Sequence, residues 1–174
     1  MFTRKIITIL LTILFLGCSS APTFNKITFP ITVAISTDNR LNLADQVANP
    51  VGIRVYQLTK SETFESAEFI DLFQNGRDVL ADELVKHSRL YPVMPDTTKL
   101  YDFDILPEVR YLAVLIELTH FDQSEHRAIV ELPENILIEN EFMLNIREKT
   151  VKLSLKEKEK SIWTIITDFW EDLL

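Results

Sequence analysis

Short segments in which apolar and polar residues alternate are the feature that most constrains the fold of this chain. In Ile27–Ser36 and Val51–Leu58, isoleucine and valine recur at every second position, which is the period of a strand with one buried face. Val109–Leu118 is nearly continuous in apolar residues, as in a central strand covered on both faces. The other strands predicted in the C-terminal half are Tyr101–Ile105, Arg127–Leu132, Ile136–Glu139, Glu141–Ile146 and Val151–Leu155. Many short strands with little helix between them favour an all-β dominated sandwich domain, at residues 27–155, over a parallel α/β sheet.

The period of the apolar residues changes from two to three and four after the second predicted strand. Ser61–Phe73 is predicted to form an amphipathic helix that ends at Asn75-Gly76, and Asp78–Lys86 a second, shorter helix. The apolar stripe of the first helix consists of Phe64, Ala67, Phe69, Ile70 and Phe73. The sequence thus predicts a small helical insertion at residues 61–88.

The first residues carry the pattern of an export signal. Arg4 and Lys5 precede the apolar run Ile6–Leu16, and a glycine and Cys18 follow it. A basic region, a short apolar region and a small residue before a lone cysteine are typical of a bacterial lipoprotein signal. A transmembrane or core helix is the alternative, but the run is much shorter than the ~20 residues that span a bilayer. Residues 1–17 are therefore predicted to be a lipoprotein signal peptide.

Cys18 is the predicted site of lipidation, and residues 18–26 are the tether between the lipid and the folded domain. Ser19 follows this cysteine, where an inner-membrane retention signal has an aspartate. We therefore expect the protein to be anchored in the inner leaflet of the outer membrane, facing the periplasm. Because Cys18 is the only cysteine, no disulfide is expected within the chain.

The composition argues against several classes of function. The chain has 26 acidic and 18 basic side chains, and this net charge of -8 disfavours nucleic acids and anionic lipid headgroups as partners. Its three glycines cannot build a phosphate-binding loop, so no nucleotide cofactor is expected. His120 and His126 lie near Asp122 and Glu125, but their spacing matches no zinc motif and predicts no metal site.

Two alternatives assign chemistry to the predicted strand at residues 101–105. Asp102 and Asp104 share one strand face at ~7 Å, a distance at which two carboxylates can act in hydrolysis. Their alternation with Tyr101 and Phe103 favours instead the solvated face of a half-buried strand. The two aromatic residues could alternatively line a groove for a small ligand or a polysaccharide.

Residues 156–174 are predicted to form a C-terminal amphipathic helix. Its apolar stripe consists of Ile162, Ile166, Phe169 and Leu173, with Trp163 and Trp170 on its flank. This helix could pack on its own sandwich, dock a partner or lie on a membrane. Three acidic residues, Asp168, Glu171 and Asp172, argue against the membrane.

Four stretches between residues 41 and 127 occur in a distinctive order. They are Leu41-Asn42, the strand sequence Arg54-Val55-Tyr56-Gln57-Leu58, the helix residues Phe64, Ala67, Phe69 and Leu72, and Leu90-Tyr91-Pro92 followed by the apolar strand Tyr111–Leu115. Together they resemble the TssJ family, the outer-membrane lipoproteins of type VI secretion systems. The chain differs from the family pattern at His126-Arg127, where the family commonly has Trp-Arg, and in the tryptophan-bearing segment after residue 156.

The resemblance implies a transthyretin-like β-sandwich and a function without catalysis. It implies that the protein tethers the type VI membrane complex to the outer membrane by binding the C-terminal periplasmic region of TssM, the large inner-membrane component. In the family, the loop between the first two strands contributes to this contact, which here corresponds to residues 37–49.

Six residues of this loop are the predicted partner-binding residues. They are Arg40, Leu41, Asn42, Leu43, Asp45 and Gln46. Leu41 and Leu43 draw attention because two leucines in a loop without a strand pattern need to be covered. The favoured hypothesis is that the partner covers these two leucines, and the alternative is that they pack on the sandwich itself.

Overall fold

The computed structural model describes residues 27–134 and 140–157. The strands and helices of these residues are β1 (Phe29–Thr37), β2 (Val51–Leu58), α1 (Glu62–Ser66), α2 (Phe69–Leu80), β3 (Leu84–Val93), β4 (Thr98–Ile105), β5 (Tyr111–Ile116), β6 (Arg127–Glu131), β7 (Asn140–Ile146) and β8 (Val151–Glu157). Two 3-10 turns occur at Ala81–Glu83 and Phe121–Gln123. No helix in these ranges is long and apolar enough to cross a membrane.

The strands form two four-stranded sheets that face each other. Sheet 1 has the order β4-β1-β7-β8, and sheet 2 the order β3-β2-β5-β6. All neighbouring strands are antiparallel except β1 and β7, which are parallel. The predicted β-sandwich with a small helical insertion is confirmed. The strand predicted at Ile136–Glu139 and residues 158–174 of the predicted C-terminal helix lie outside the described residues, and residues 156–157 belong to β8.

The main core lies between the two sheets. Val51, Ile53 and Val55 on β2 face sheet 1 and are at most 3% exposed. Tyr56 and Leu58 on the same strand face outward and are buried beneath the helices. Burial of each such side chain contributes ~1.5–3 kcal/mol, so sheet 2 gains stability from both of its faces. The predicted alternation of β2 and the central, doubly covered position of β5 are both confirmed.

The helical insertion consists of two short helices and not of the single helix predicted for Ser61–Phe73. Ala67 adopts an extended conformation (φ -68°, ψ 149°), so the chain turns between α1 and α2. This turn shifts the phase of the apolar stripe. Leu72 is fully buried, whereas Ile70 and Phe73, both predicted on the buried stripe, are 41% and 37% exposed.

The helix stop predicted at Asn75-Gly76 is wrong, because α2 continues to Leu80. Asn75 has non-helical angles (φ -131°, ψ 29°), and the helix resumes after this distortion. Gly76 instead allows a close approach, since a Cβ there would lie 2.9 Å from the Tyr56 hydroxyl. This buried hydroxyl donates a hydrogen bond to the Leu72 carbonyl at 3.3 Å.

The helix predicted at Asp78–Lys86 is wrong from Leu84 onward, so the insertion ends before residue 88. Leu84 begins β3 and pairs with Leu58 of β2. Leu80 and Leu84 have helical spacing, but the backbone of Leu84 pairs with β2, a strand that lies more than twenty residues earlier in the sequence. Lys86 likewise pairs with β2, and the long-range pairing overrides the local pattern.

Candidate partner-binding end of the sandwich

The loops that join the strands lie at two opposite ends of the sandwich. The loop 38–50, the turn 94–97, the loop 117–126 and the turn 147–150 lie together at one end, which we call the loop end. β1 begins with Phe29 at the other end, which we call the tether end. At ~3.3 Å per residue, the 9 residues of β1 place the two ends ~26 Å apart.

Polar side chains fix the start of the 38–50 loop to its neighbours. Thr37 is 4% exposed, and its hydroxyl donates a hydrogen bond to the Met94 carbonyl at 2.8 Å. The Thr97 amide donates to the same hydroxyl at 3.1 Å. Asp38 Oδ2 accepts a hydrogen bond from the Glu148 amide at 3.0 Å. These bonds join three segments that are distant in sequence and hold the loop in one conformation.

The predicted residues at the middle of this loop have different environments. Leu41 is fully buried in the core between the sheets, so it packs on its own sandwich and its side chain anchors the loop. Asn42 has a positive φ of 47°, and its Oδ1 accepts a hydrogen bond from the Thr119 amide at 2.8 Å. Leu43 is half-buried and faces a cleft at the loop end. Of the two leucines, only Leu43 is available for contact with a partner.

Asp45 and Gln46 form the tip of the loop. Both have positive φ, 50° and 63°, and they lie between Ala44 and Val47, which exchange backbone hydrogen bonds of 3.0 and 2.9 Å. Two consecutive positive φ angles inside such a bridge make a type I′ turn, which favours Asn, Asp and Gly. Val47 is 62% exposed beside the turn. Sequence reasoning missed Val47, although an apolar residue at the tip of a polar loop could have indicated it.

Arg40 completes the predicted set. Its Nη2 lies 2.8 Å from Glu148 Oε1, and the side chains of Arg40 and Glu148 are 58% and 33% exposed. Exposed pairs of this kind contribute at most ~1 kcal/mol. The guanidinium is therefore free to exchange this intramolecular carboxylate for one on another protein.

A cleft of about 240 Å³ lies at the loop end between the 38–50 loop, the 117–126 loop and the 147–150 turn. Its lining consists of Asn42, Leu43, Leu118, His120, Gln123, Ser124, Glu148 and Lys149. Most of these side chains are polar, which suits a wet protein interface better than the apolar pocket of a small-molecule site. Within residues 27–134 and 140–157, no three His, Cys, Asp or Glu side chains converge as metal ligands.

An ionic cluster lies on the outer surface of sheet 2, next to the loop end. Glu117 is 11% exposed and accepts hydrogen bonds from Arg54 Nε at 2.8 Å and Arg89 Nε at 2.9 Å. The hydrogen bonds from Arg89 are the main cause of the lowered pKa of Glu117; burial opposes the shift, and Arg54 adds to it. The Arg54 guanidinium also lies 4.7 Å from the centre of the exposed Phe73 ring. This surface presents charge and apolar area together.

The other residues with predicted chemistry are placed on open surface or in the core. Asp102 and Asp104 are exposed on the edge strand β4, where Asp102 accepts a hydrogen bond from the Thr32 hydroxyl at 2.7 Å. This flat strand surface does not form a hydrolytic cleft. Tyr101 and Phe103 pack against the core between the sheets, so the groove that they were predicted to line is absent from β4.

The His126-Arg127 pair, which differs from the family pattern, holds the helical insertion in place. Arg127 Nη1 donates hydrogen bonds to the carbonyls of Phe64, Glu65 and Ala67 at 3.0, 3.3 and 2.7 Å, at the end of α1. The His126 ring lies edge-on to Phe69 on α2, with the ring centres 4.9 Å apart. Histidine therefore fills an aromatic position beside the helix, and the arginine binds carbonyls that the helix leaves without partners.

Cys18 and the tether predicted at residues 18–26 lie outside the described residues, as does the signal predicted at residues 1–17. The chain enters the described domain at Ile27, at the tether end. Lipidation of Cys18 therefore stays a prediction from the sequence.

The fold and its loops define a class of protein, a two-sheet β-sandwich whose second sheet carries a short helical insertion and whose loops gather at one end. A family model described as type VI secretion lipoprotein, VasD, EvfM and TssJ matches residues 30–158. The chain belongs to this family of type VI secretion lipoproteins. A search of the curated proteins finds no match.

Solved structures share the fold. The lipoprotein TssJ1 from Pseudomonas aeruginosa superposes with a TM-score of 0.68 at 16% identity, covering 76% of this chain and 99% of that one. Lip from Serratia marcescens, described as a membrane-bound component of the type VI secretion system, gives 0.66 at 21% identity, covering 72% and 96%. A structure described as the TssM C-terminal domain from EAEC gives 0.56 at 14% identity, covering 75% and 98%.

Proposed function

We propose that this protein is a lipid-anchored periplasmic adaptor of a type VI secretion system. Acyl chains on Cys18 hold it in the inner leaflet of the outer membrane, with each buried methylene contributing ~0.8 kcal/mol. The loop end binds the C-terminal periplasmic region of a TssM-like inner-membrane protein. Membership of the family of type VI secretion lipoproteins supports the anchor and the placement in a type VI secretion system, and the resemblance of the 37–49 loop to the family's contact loop is the reason to propose this partner.

The arrangement of the two ends suits a bridging function. The chain arrives from the predicted lipid at the tether end, and the loop end lies ~26 Å further along β1. A partner that approaches from the inner membrane meets the loop end first. The mechanism needs two separate attachment points on one rigid body, and it needs no cofactor and no catalytic residue.

The observation that carries the proposal is the fixed conformation of an exposed turn at residues 44–47. Asn42, Asp45 and Gln46 all have positive φ without being glycine, a conformation that Asn and Asp adopt readily and that is less favourable for Gln46. Backbone strain of this kind persists where surrounding structure enforces it, and it is often found at binding sites. Here the buried Leu41 side chain and the hydrogen bond between Asn42 and Thr119 fix the start of the loop, and the two backbone hydrogen bonds between Ala44 and Val47 fix the turn itself. A turn presented in this way loses little entropy when a partner binds.

The residues divide between contact and positioning. Arg40, Leu43, Asp45 and Gln46 are the proposed contact residues, and Val47 is added because its side chain is exposed at the tip. Leu41 and Asn42 act as positioning residues, since the first is buried and the second is bonded to the neighbouring loop.

A binding measurement with the substitution Val47→Asp tests the proposal. A charge in place of this exposed apolar side chain beside the turn would be buried in the complex without a partner, so we expect affinity for the periplasmic region of the TssM-like protein to fall at least about tenfold, or ~1.4 kcal/mol. Isothermal titration calorimetry of the mature domain gives the dissociation constant directly.

Ile27→Asp is the matched control, because Ile27 is a comparably exposed apolar residue, 69% exposed, at the tether end. We expect this variant to bind as the wild type does. Thermal unfolding of both variants checks that neither substitution disturbs the fold. Equal affinity of Val47→Asp and wild type, or equal losses in both variants, would show that the turn is not the contact.

A further inference from the structure

A cleft on the outer side of sheet 2 brings together three basic side chains. It lies between α2 and the strands β2 and β3, and it has a volume of about 320 Å³. Its lining consists of Arg54, Tyr56, Gln74, Asn75, Gly76, Arg77, Asp78 and His87. The chain as a whole has a net charge of -8, whereas this lining has two arginines and a histidine against one aspartate. A concave site of this charge attracts anions.

The packing of α2 on sheet 2 brings Arg77 to His87. Gly76 of α2 lies against Tyr56 of β2, where a Cβ would come within 2.9 Å of the hydroxyl. Tyr56 is paired across the sheet with His87 of β3, and Arg77 follows Gly76 in the helix. Arg77 Nε donates a hydrogen bond to His87 Nε2 at 3.2 Å, and Arg77 Nη2 lies 3.5 Å from His87 Nδ1. The guanidinium therefore faces an imidazole and not a carboxylate.

The basic side chains of the cleft have donors to spare. Within residues 27–134 and 140–157, Arg77 forms no ion pair, and no hydrogen bond joins it to Asp78. Arg54 Nε donates to Glu117 Oε1 at 2.8 Å, but a guanidinium has five N–H groups, so further donors remain. The cleft thus offers hydrogen bonds and positive charge to an acceptor that the described domain does not supply.

The contact between Arg77 and His87 depends on the protonation state of the imidazole. A neutral ring accepts on one nitrogen, whereas a protonated ring accepts on neither and donates from both. Burial, followed by the charges of Arg77 and Arg54, lowers the pKa of His87 and favours the neutral ring. Asp78 also lines the cleft, and Arg89 lies two residues further along β3. A bound carboxylate reverses the preference, because its two oxygens accept from the guanidinium and from the protonated ring together.

We propose that this cleft is a carboxylate site, which takes an aspartate or glutamate side chain of a protein partner between Arg54, Arg77 and His87. A carboxylate is planar and has two acceptor oxygens, which match the forked N–H groups of a guanidinium. The exposed ring of Phe73 lies beside the site, 4.7 Å from the Arg54 guanidinium, and a polypeptide gains apolar contact there that a free ion does not. The site is separate from the turn at residues 44–47, so this inference does not depend on the proposed function.

The three histidines of the chain allow a direct NMR test. The experiment uses residues 19–174, which include the whole described domain, and follows the imidazole resonances over roughly pH 5 to 8 at constant ionic strength. The probe is N-acetyl-aspartate amide, and N-acetyl-asparagine amide is its uncharged counterpart. We expect the aspartate compound to raise the pKa of His87 and to bind at least about threefold more tightly at the acid end of this range, because binding takes up a proton. The asparagine compound should have neither effect.

His120 and His126 are internal controls, since both lie in the loop 117–126 and outside the cleft. Their pKa values should be the same with and without the aspartate compound. An unchanged pKa of His87, or equal changes at all three histidines, would overturn the proposal. Inorganic phosphate is the second probe. A response of His87 to phosphate but not to the aspartate compound would assign the cleft to a free anion and would also overturn the proposal.

Arg77→Gln tests the part played by the guanidinium, and Arg110→Gln is the matched control because Arg110 is an exposed arginine at the tether end. Since Arg77 lowers the pKa of His87, we expect this pKa to be higher in Arg77→Gln than in the unsubstituted chain before any probe is added. The aspartate compound should then bind at least about threefold more weakly to Arg77→Gln. Arg110→Gln should keep the full response. Equal affinities of Arg77→Gln and the unsubstituted chain would contradict the assignment of this cleft.

Discussion

The two glycines of the described domain provide room for neighbouring side chains and not conformational freedom. A Cβ on Gly52 would overlap the carboxylate of Glu117, and one on Gly76 would press on Tyr56. Neither glycine has a positive φ. The positive φ angles of the loop end occur instead at residues with side chains, among them Asn42. These turns can therefore keep their backbone shape and also offer polar side chains for contact.

Glu117 makes the stability of the domain depend on pH. Because its pKa is lowered in the folded state, its contribution to stability is complete above the ordinary glutamate range and is lost as pH falls through the folded-state pKa. Glu117→Gln should therefore lower the free energy of unfolding at pH 7 by about 1–2 kcal/mol, and this difference should shrink in acid. Urea titrations at pH 7 and at pH 3 measure both values.

Asp102→Asn serves as the control, since Asp102 is an exposed carboxylate on β4. Its difference from wild type at either pH should stay within ~0.5 kcal/mol. A Glu117→Gln penalty that is the same at both pH values would mean that the ionic cluster with Arg54 and Arg89 does not hold this carboxylate in its charged form.

At the scale of elements, the helical insertion shows where the local pattern of apolar residues no longer predicts the secondary structure. The alternation of β2 and the apolar run of β5 follow from local burial, and the structure confirms both. The break between α1 and α2 depends on Arg127, about sixty residues later in the sequence, which binds the carbonyls at the end of α1. β3 depends in the same way on pairing with β2. A search for periodicity does not detect partners of this kind, so the sequence predicted one helix across the break between α1 and α2 and extended the second predicted helix into β3.

Arg127 should therefore be worth more to stability than an ordinary exposed arginine. Arg127→Ala leaves the carbonyls of Phe64 and Ala67 without a charged donor and should lower the free energy of unfolding by about 1.5–3 kcal/mol. Arg127→Lys should recover part of this loss, because one ammonium group replaces a forked guanidinium. Urea denaturation of the purified domain measures these differences.

Arg110→Ala is the matched control, as Arg110 has an exposed side chain on the same sheet's tether end. Its change should remain within ~0.5 kcal/mol. A loss in Arg127→Ala no larger than that in Arg110→Ala would mean that the insertion is held by its apolar contacts alone.

At the scale of the whole molecule, the sandwich separates the two proposed attachment points. The family resemblance pointed to the loop proposed as one of them, but the sequence did not distinguish the buried Leu41 from the half-buried Leu43, and it did not single out the exposed Val47. The bonds that shape this loop come from the 94–97, 117–126 and 147–150 connections, and their meeting at one end follows only from the strand order. The anchor predicted at Cys18 rests, by contrast, on a purely local pattern that needs no fold to be recognised.

Separation of the two bacterial membranes on a sucrose gradient tests the bridging claim most directly. With the wild-type protein, part of the TssM-like partner should sediment with the outer membrane. With Cys18→Ser, that part should be lost, because the adaptor no longer carries the lipid that holds it there, and Val47→Asp should cause the same loss through the other attachment point. An unchanged distribution of the partner in both variants would contradict the account.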